Sequence, residues 1–175
     1  VGLSLGWFNG LVITRFRLPP FVATLGMLSI ARGLTQLWTK GFPITGLGQD
    51  FGFIGTGQLA GIPMPVWISA GLVGLFVAVT RNTTFGRYVY AVGGNENAAR
   101  LSGVNVERVK LMVYALGGVM AGVAGLLLTA RLDSATPSAG FGYELDSIAA
   151  VVIGGTSLNG GRGSILGTVL GCLII

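Results

Sequence analysis

Acidic residues are the first candidates for chemistry in this sequence, because Glu144 and Asp146 are two residues apart and Asp133 precedes them closely. A general acid or base must come within hydrogen-bonding distance of a substrate proton. The sequence contains no histidine, which is the commonest general base and metal ligand. Acidic residues of an ordinary loop are therefore the better interpretation, and we predict neither catalytic nor metal-binding residues.

Two glycine-rich stretches have the outline of nucleotide-binding motifs. Residues Gly155–Arg162 have the spacing of a P-loop, but Gly161 stands where that loop needs the lysine that reaches the phosphates. Residues Gly55–Ala60 match G-x-G-x-x-A, but a proline-led apolar run follows, and no acidic residue comes near the required distance. We predict that this chain binds no nucleotide cofactor and does not hydrolyse ATP.

The composition excludes most soluble classes. Of 175 residues, 51% are apolar, 31 are glycine and only 10% are charged, whereas about a quarter of an ordinary soluble domain is charged. A soluble enzyme, a disordered tail and a disulfide-stapled module are all excluded, the last because Cys172 has no internal partner. Five of the 11 basic residues fall between Arg81 and Lys110, a clustering typical of a cytoplasmic loop rather than of a nucleic-acid interface.

Three apolar runs are long enough to cross a bilayer, which takes about 20 residues: Pro20–Thr39, Ile62–Thr80 and Leu111–Ala130. Three shorter apolar runs are also present. Val1–Thr14 is interpreted as the end of an earlier span and Ile165–Ile175 as the start of a later one. Ser147–Leu158 is interpreted as a tilted or broken span. We predict an all-α, polytopic membrane protein, a bundle of transmembrane helices forming a single domain over residues 1–175. Because the sequence lacks an initiator Met and ends within a span, we expect an internal fragment of a longer protein.

The charges of the loops predict an orientation, because cytoplasmic loops retain lysine and arginine. Thr80–Lys110 carries five basic residues and is placed in the cytoplasm. Alternation then places Lys40–Gly61 and Arg131–Asp146 outside, and the latter holds one arginine against three acidic residues. The turn bearing Arg162 returns to the cytoplasmic side.

Small residues recur every four positions in two of the runs, a spacing that lets transmembrane helices approach closely. The two sets are Gly117, Ala121, Gly125 and Gly163, Gly167, Gly171. We predict close packing within one subunit, with a subunit interface as the alternative.

Four residues are candidates for a translocation path. Arg32 lies inside a predicted span, where a charge is costly and usually paired or functional, although snorkelling or an ion pair is the favoured interpretation. Glu144 and Asp146 stand at the mouth of the short span, where they could meet a solute hydroxyl, and Thr156 follows that span.

Residues 93–103 contain the start and stop signals of a short helix. Gly93 and Gly94 break the chain, Asn95 is a typical cap, and Glu96 follows near the positive helix end. Ala98, Ala99 and Leu101 are expected to form one small apolar face, and Gly103 to end the helix. A short capped helix on a cytoplasmic loop is suited to docking in the groove of a partner, with a solvated connector as the alternative.

Three long stretches closely resemble the permease subunits of bacterial ABC importers for monosaccharides, in the ribose-type branch. They are Gly86–Val106, Leu18–Gly26 and Gly142–Leu158. The resemblance extends over essentially the whole chain, in order, and members of that family are longer than this sequence.

The resemblance implies a function. Such permeases pair as homodimers in the bacterial inner membrane, receive sugar from a periplasmic binding protein and are driven by cytoplasmic ATP-binding subunits. The permease would then be no enzyme, and ATP would bind the partner chain. The short helix would correspond to the coupling helix that docks on the ATPase, carried here by Gly94, Asn95, Glu96, Asn97, Ala98, Ala99, Arg100, Leu101 and Gly103.

Two alternatives remain open. The nearer is a related permease for nucleosides or branched-chain amino acids. The more distant is a channel or secondary transporter that works without ATP, although such proteins typically need acidic residues or histidines within their spans.

Overall fold

The computed structural model describes residues 1–175, with all side chains except those of Gln49 and Asp50. The chain is mostly helical. Its helices are α1 (Gly2–Phe16), α2 (Pro20–Thr39), α3 (Gln49–Thr56), α4 (Met64–Asn82), α5 (Thr84–Gly94), α6 (Glu96–Leu101), α7 (Val106–Leu132), α8 (Tyr143–Ile153) and α9 (Ile165–Ile174). Its strands are β1 (Ile44–Thr45), β2 (Gln58–Leu59), β3 (Ile62–Pro63) and β4 (Ser134–Ala135).

The prediction of an all-α chain needs a small correction. Strand β1 pairs antiparallel with β4, and β2 pairs antiparallel with β3. Each strand has two residues, too few to show the alternating pattern by which strands are recognised in a sequence. Strands β1, β2 and β4 lie in segments that the loop charges place outside, whereas β3 occupies the first two residues of the predicted span Ile62–Thr80.

Helix α2 has the bounds that the sequence predicts, because Pro20 fits a first turn and Lys40 ends the helix in the left-handed conformation at φ 52°. Helix α4 starts two residues late, since β3 occupies Ile62–Pro63. Among the residues that the structure describes, two helices, α4 and α7, are long and apolar enough to cross a membrane. Helix α2 has the length but carries Arg32 and Gln36.

The chain folds as two compact units. The first comprises Val1–Ile68 and Leu111–Ala139. Within it α1 lies against α7, where Gly2 and Gly6 bring the backbone of α1 close to Gly118. Helix α1 buries small positions and Ile13, so this contact depends on small residues, as packing between membrane helices commonly does.

The second unit comprises Ser69–Lys110 and Gly140–Ile175. Its α8 and α9 pack backbone to backbone, because Gly154 meets Gly167 and Ala150 meets Gly171. The predicted packing of the Gly163–Gly171 set within one subunit is thereby confirmed for Gly167 and Gly171.

For the other small-residue set, Gly117, Ala121 and Gly125, the described residues show no close backbone contact at its two glycines. A Cβ on Gly117 or Gly125 would meet nothing within 4 Å among the described residues, whereas one on Gly118 would collide with the backbone of Gly2. Gly118 and Gly122 are also four residues apart. Helix α7 therefore presents two adjacent ridges of small residues, and α1 packs against the one that contains Gly118 and Gly122.

Candidate functional site

The predicted cap of α6 is confirmed. Asn95 adopts an extended backbone at φ −156°, and its Oδ1 accepts a hydrogen bond of 2.9 Å from the backbone N–H of Ala98. The backbone N–H of Asn95 donates to the carbonyl of Ala91 at 3.1 Å. One residue therefore ends α5 and starts α6, which fixes the angle between two helices without a flexible linker.

The end of α6 is fixed as firmly as its start. The N–H of Gly103 donates to the carbonyl of Arg100 at 3.1 Å, and that of Val104 donates to the carbonyl of Ala99 at 3.0 Å. This is a Schellman motif, and it requires a left-handed residue, which Gly103 supplies at φ +83°. The predicted helix end is confirmed.

Glu96 links α6 to the start of α7. Its Oε2 lies 2.6 Å from Lys110 Nζ, and its Oε1 lies 3.6 Å from Arg100 Nη2. The hydrogen bond from Lys110 is the main reason that the pKa of Glu96 is lowered from its usual 4.5. Because both side chains of the Glu96–Lys110 pair are partly exposed, the pair contributes below about 1 kcal/mol to the attachment of α6 to the start of α7.

Acidification is expected to loosen this attachment. A lowered folded-state pKa means that the Glu96 contribution is present above pH 4.5 and is lost as the pH falls further, through the folded-state value. The protection factors of the α6 amides, which are the measured exchange rates divided into the intrinsic rates at the same pH, should therefore fall between pH 6 and about pH 3. The variant Glu96→Gln should lose this pH dependence of protection, and a fall that persists in it would contradict the assignment.

The exposed surface of α6 differs from the predicted one. Ala99 is 5% exposed, whereas Leu101 is 90% exposed and Ala98 is also exposed. Residues two apart on a helix point about 200° apart, so Ala99 and Leu101 cannot share a face. The buried side of α6 is Ala99, and the side available to a partner presents Leu101, with Arg100 half-exposed beside it.

The loop between α8 and α9 contributes contacts that the sequence did not reveal. The hydroxyl of Tyr90 donates to the carbonyl of Gly163 at 2.9 Å. At the junction of α5 and α6, a Cβ on Gly93 would lie 2.8 Å from the backbone nitrogen of Gly161. The P-loop-like stretch is thus packed against the C-terminal end of α5. Hydrogen bonds between positions 73 residues apart leave no local signal in a sequence.

Of the four candidate path residues, three lie in the second unit and Arg32 lies in the first. Glu144 and Asp146 lie in the first turn of α8, where negative charge is favourable. Thr156 lies beyond the other end of α8, next to Gly163. Arg32 is half-buried in α2, which belongs to the first unit. The structure therefore does not assign these residues to a common site.

Comparison with known proteins decides the family. All of residues 1–175 match the family described as the branched-chain amino acid transport system / permease component. The chain belongs to this permease family. Members of the family are membrane proteins, and the permease subunits of ABC transporters are not themselves enzymes.

Several relatives in the family are sugar permeases. The chain is 52% identical over 169 residues to the ribose import permease protein of Bacillus subtilis, covering 95% of this chain and 52% of that protein. It is 48% identical over 182 residues to the ribose import permease protein of Escherichia coli K12, covering 100% of this chain and 56% of that protein. It is 56% identical over 115 residues to the xylose transport system permease protein of Haemophilus influenzae, covering 66% and 31%. The chain spans about half the length of the ribose permeases that it matches, and no solved structure matches it.

Proposed function

We propose that this chain is part of the permease subunit of an ATP-driven, binding-protein-dependent importer that moves a monosaccharide of the ribose, xylose or galactose class across the bacterial inner membrane. The observation that carries the proposal is the set of relatives, since permeases named for ribose match at 52% and 48% identity over 95% or more of the chain. Because the family is described by branched-chain amino acid transport although these relatives are ribose permeases, family membership alone does not identify the solute.

The proposed assembly contains two copies of the permease, cytoplasmic ATP-binding subunits and a periplasmic sugar-binding protein. Support for the ATPase contact comes from α6. This helix has six residues, both ends fixed by hydrogen bonds, a buried alanine on one side and an exposed leucine on the other. A small rigid helix that exposes one large apolar side chain is suited to a groove on a partner.

Alternating access follows from this attachment. Nucleotide-driven closure of the ATPase would displace α6, and helices that pack closely through small residues would move with it as rigid bodies. The path that the solute follows would include Glu144 and Asp146 at the outer mouth, with Thr156 and Arg32 as further candidates.

A related permease for branched-chain amino acids is the second candidate, and the family that the chain matches favours it, since that family is described by branched-chain amino acid transport. Because both candidates use ATP, uptake of two solutes distinguishes them. The experiment uses the full-length permease in vesicles with its own ATPase and binding protein, and follows labelled ribose and labelled leucine with ATP or ADP inside the vesicles.

ATP-dependent uptake of ribose is expected. ATP-dependent uptake of leucine alone would retain the mechanism and transfer the proposal to the amino-acid branch. Equal uptake with ATP and ADP would overturn the importer mechanism and favour a channel or secondary transporter.

A further inference from the structure

The junction between α5 and α6 rests on the loop that joins α8 to α9, here called the α8–α9 loop (residues 154–164). Two contacts make this seat. The Tyr90 hydroxyl donates to the Gly163 carbonyl at 2.9 Å. One helical turn further along α5, the backbones of Gly93 and Gly161 approach so closely that a Cβ on Gly161 would lie 2.7 Å from the Cα of Gly94. Both contacts lie on one face of α5, since Tyr90 and Gly93 are three residues apart.

The α8–α9 loop is itself held in shape. The backbone N–H of Ser157 donates to the carbonyl of Arg162 at 2.9 Å, and the N–H of Gly160 donates back to the carbonyl of Ser157 at 3.1 Å. Gly161 has φ +73°, a conformation that other residues rarely adopt. The loop is a closed turn rather than a slack connection.

Both ends of the loop continue into closely packed helices. Ser164 caps α9, its Oγ accepting from the N–H of Gly167 at 2.9 Å. Gly167 in turn meets the backbone of Gly154 at the end of α8. The loop, α8 and α9 are thus joined by short contacts.

The junction continues directly into α6. The backbone N–H of Asn95 donates to Ala91 at the end of α5, and its side chain caps the start of α6. Lys110 donates to Glu96 of α6 at 2.6 Å. A force that displaces α6 therefore moves α5, and α5 meets the α8–α9 loop at Tyr90 and Gly93.

We propose that Tyr90 is a positioning residue for energy coupling, because its hydrogen bond to Gly163 transmits displacement of α6 to the α8–α9 pair. The proposal rests on the proposed function, since it assumes that an ATPase displaces α6. Helix α8 carries Glu144 and Asp146 in its first turn, so the contact at Tyr90 connects the docking helix to the helix whose far end bears the candidate path carboxylates.

The variant Tyr90→Phe tests this, because it retains the ring and removes only the hydroxyl that donates. The full-length transporter, with ATPase and binding protein, is placed in vesicles, and labelled ribose uptake and ATP hydrolysis are measured in the same sample. The amount of ribose moved per ATP hydrolysed is expected to fall about three- to tenfold, the range that corresponds to one ordinary hydrogen bond. ATP hydrolysis itself should continue.

Tyr88→Phe is the matched control, since Tyr88 is an exposed tyrosine two residues earlier on α5. It should leave the ratio of ribose to ATP unchanged. A ratio in Tyr90→Phe equal to that of the unaltered transporter would overturn the positioning role alone. If ribose uptake by the unaltered transporter does not depend on ATP, the proposed function and the positioning role are both overturned.

A general loss of folding is recognised separately. If the amount of assembled transporter in the membrane and the rate of ATP hydrolysis fall in parallel with uptake, the ratio stays constant and the positioning role is rejected in favour of a purely structural one.

Discussion

The variant Leu101→Asp is expected to lose its association with the ATPase and nearly all ATP-driven uptake, while the permease still inserts in the membrane. Leu101 is 90% exposed at the end of α6, so nothing within the described part of the chain depends on its packing. If a partner groove buries it, the leucine contributes about 1.5–3 kcal/mol to that contact. Aspartate forfeits this contribution and adds the cost of taking an unpaired charge out of water.

The size of the effect follows from these terms. A loss of about 3 kcal/mol is already more than a hundredfold in affinity, and the buried charge enlarges it. Co-purification of the ATPase with the full-length permease measures the contact directly, and ribose uptake measures its consequence. Leu101→Met, which retains size and apolarity, should keep both. Unimpaired co-purification of the ATPase with Leu101→Asp would show that α6 docks through another face or does not dock.

Local features of the site could be predicted from the sequence because they depend on neighbouring residues. A cap such as Asn95 needs only the amide three positions later, and Gly103 needs only the carbonyls of the turn before it. For the same reason the proline-led start of α2 was placed correctly. The sequence alone therefore predicts both ends of α6.

Features that depend on distant residues could not be predicted. The partner of Glu96 is Lys110, 14 residues away across a turn, and the partner of Tyr90 is 73 residues away. The exposed side of α6 was also misassigned, because an apolar count places Ala99 and Leu101 together while their angular separation puts them on opposite sides. The contacts between α1 and α7 and between α8 and α9 are made at glycines, and a glycine has no side chain from which the packed face of its helix could be predicted.

Two glycines within helices are expected to respond very differently to substitution. Gly171 in α9 and Gly125 in α7 both lie within helices. A Cβ on Gly171 would run into the carbonyl of Ala150 and lie 3.0 Å from the backbone nitrogen of Gly154, whereas one on Gly125 would meet nothing within 4 Å among the described residues. Backbone atoms, unlike a side chain, cannot adopt another rotamer to relieve the clash, so α8 and α9 would have to separate.

Gly171→Ala is accordingly expected to destabilise the folded permease by about 1–3 kcal/mol, the usual cost of overfilling a packed contact, and Gly171→Leu to abolish assembly. Gly125→Ala should be neutral or slightly stabilising, because the helix propensity of alanine is more favourable than that of glycine by about 1 kcal/mol. Thermal unfolding of the full-length permease in detergent measures the change in stability. The amount of assembled transporter in membranes measures the loss of assembly. Equal losses in the two alanine variants would mean that a subunit or span outside residues 1–175 also packs against Gly125. A harmless Gly171→Ala would instead show that α8 and α9 do not pack through their backbones.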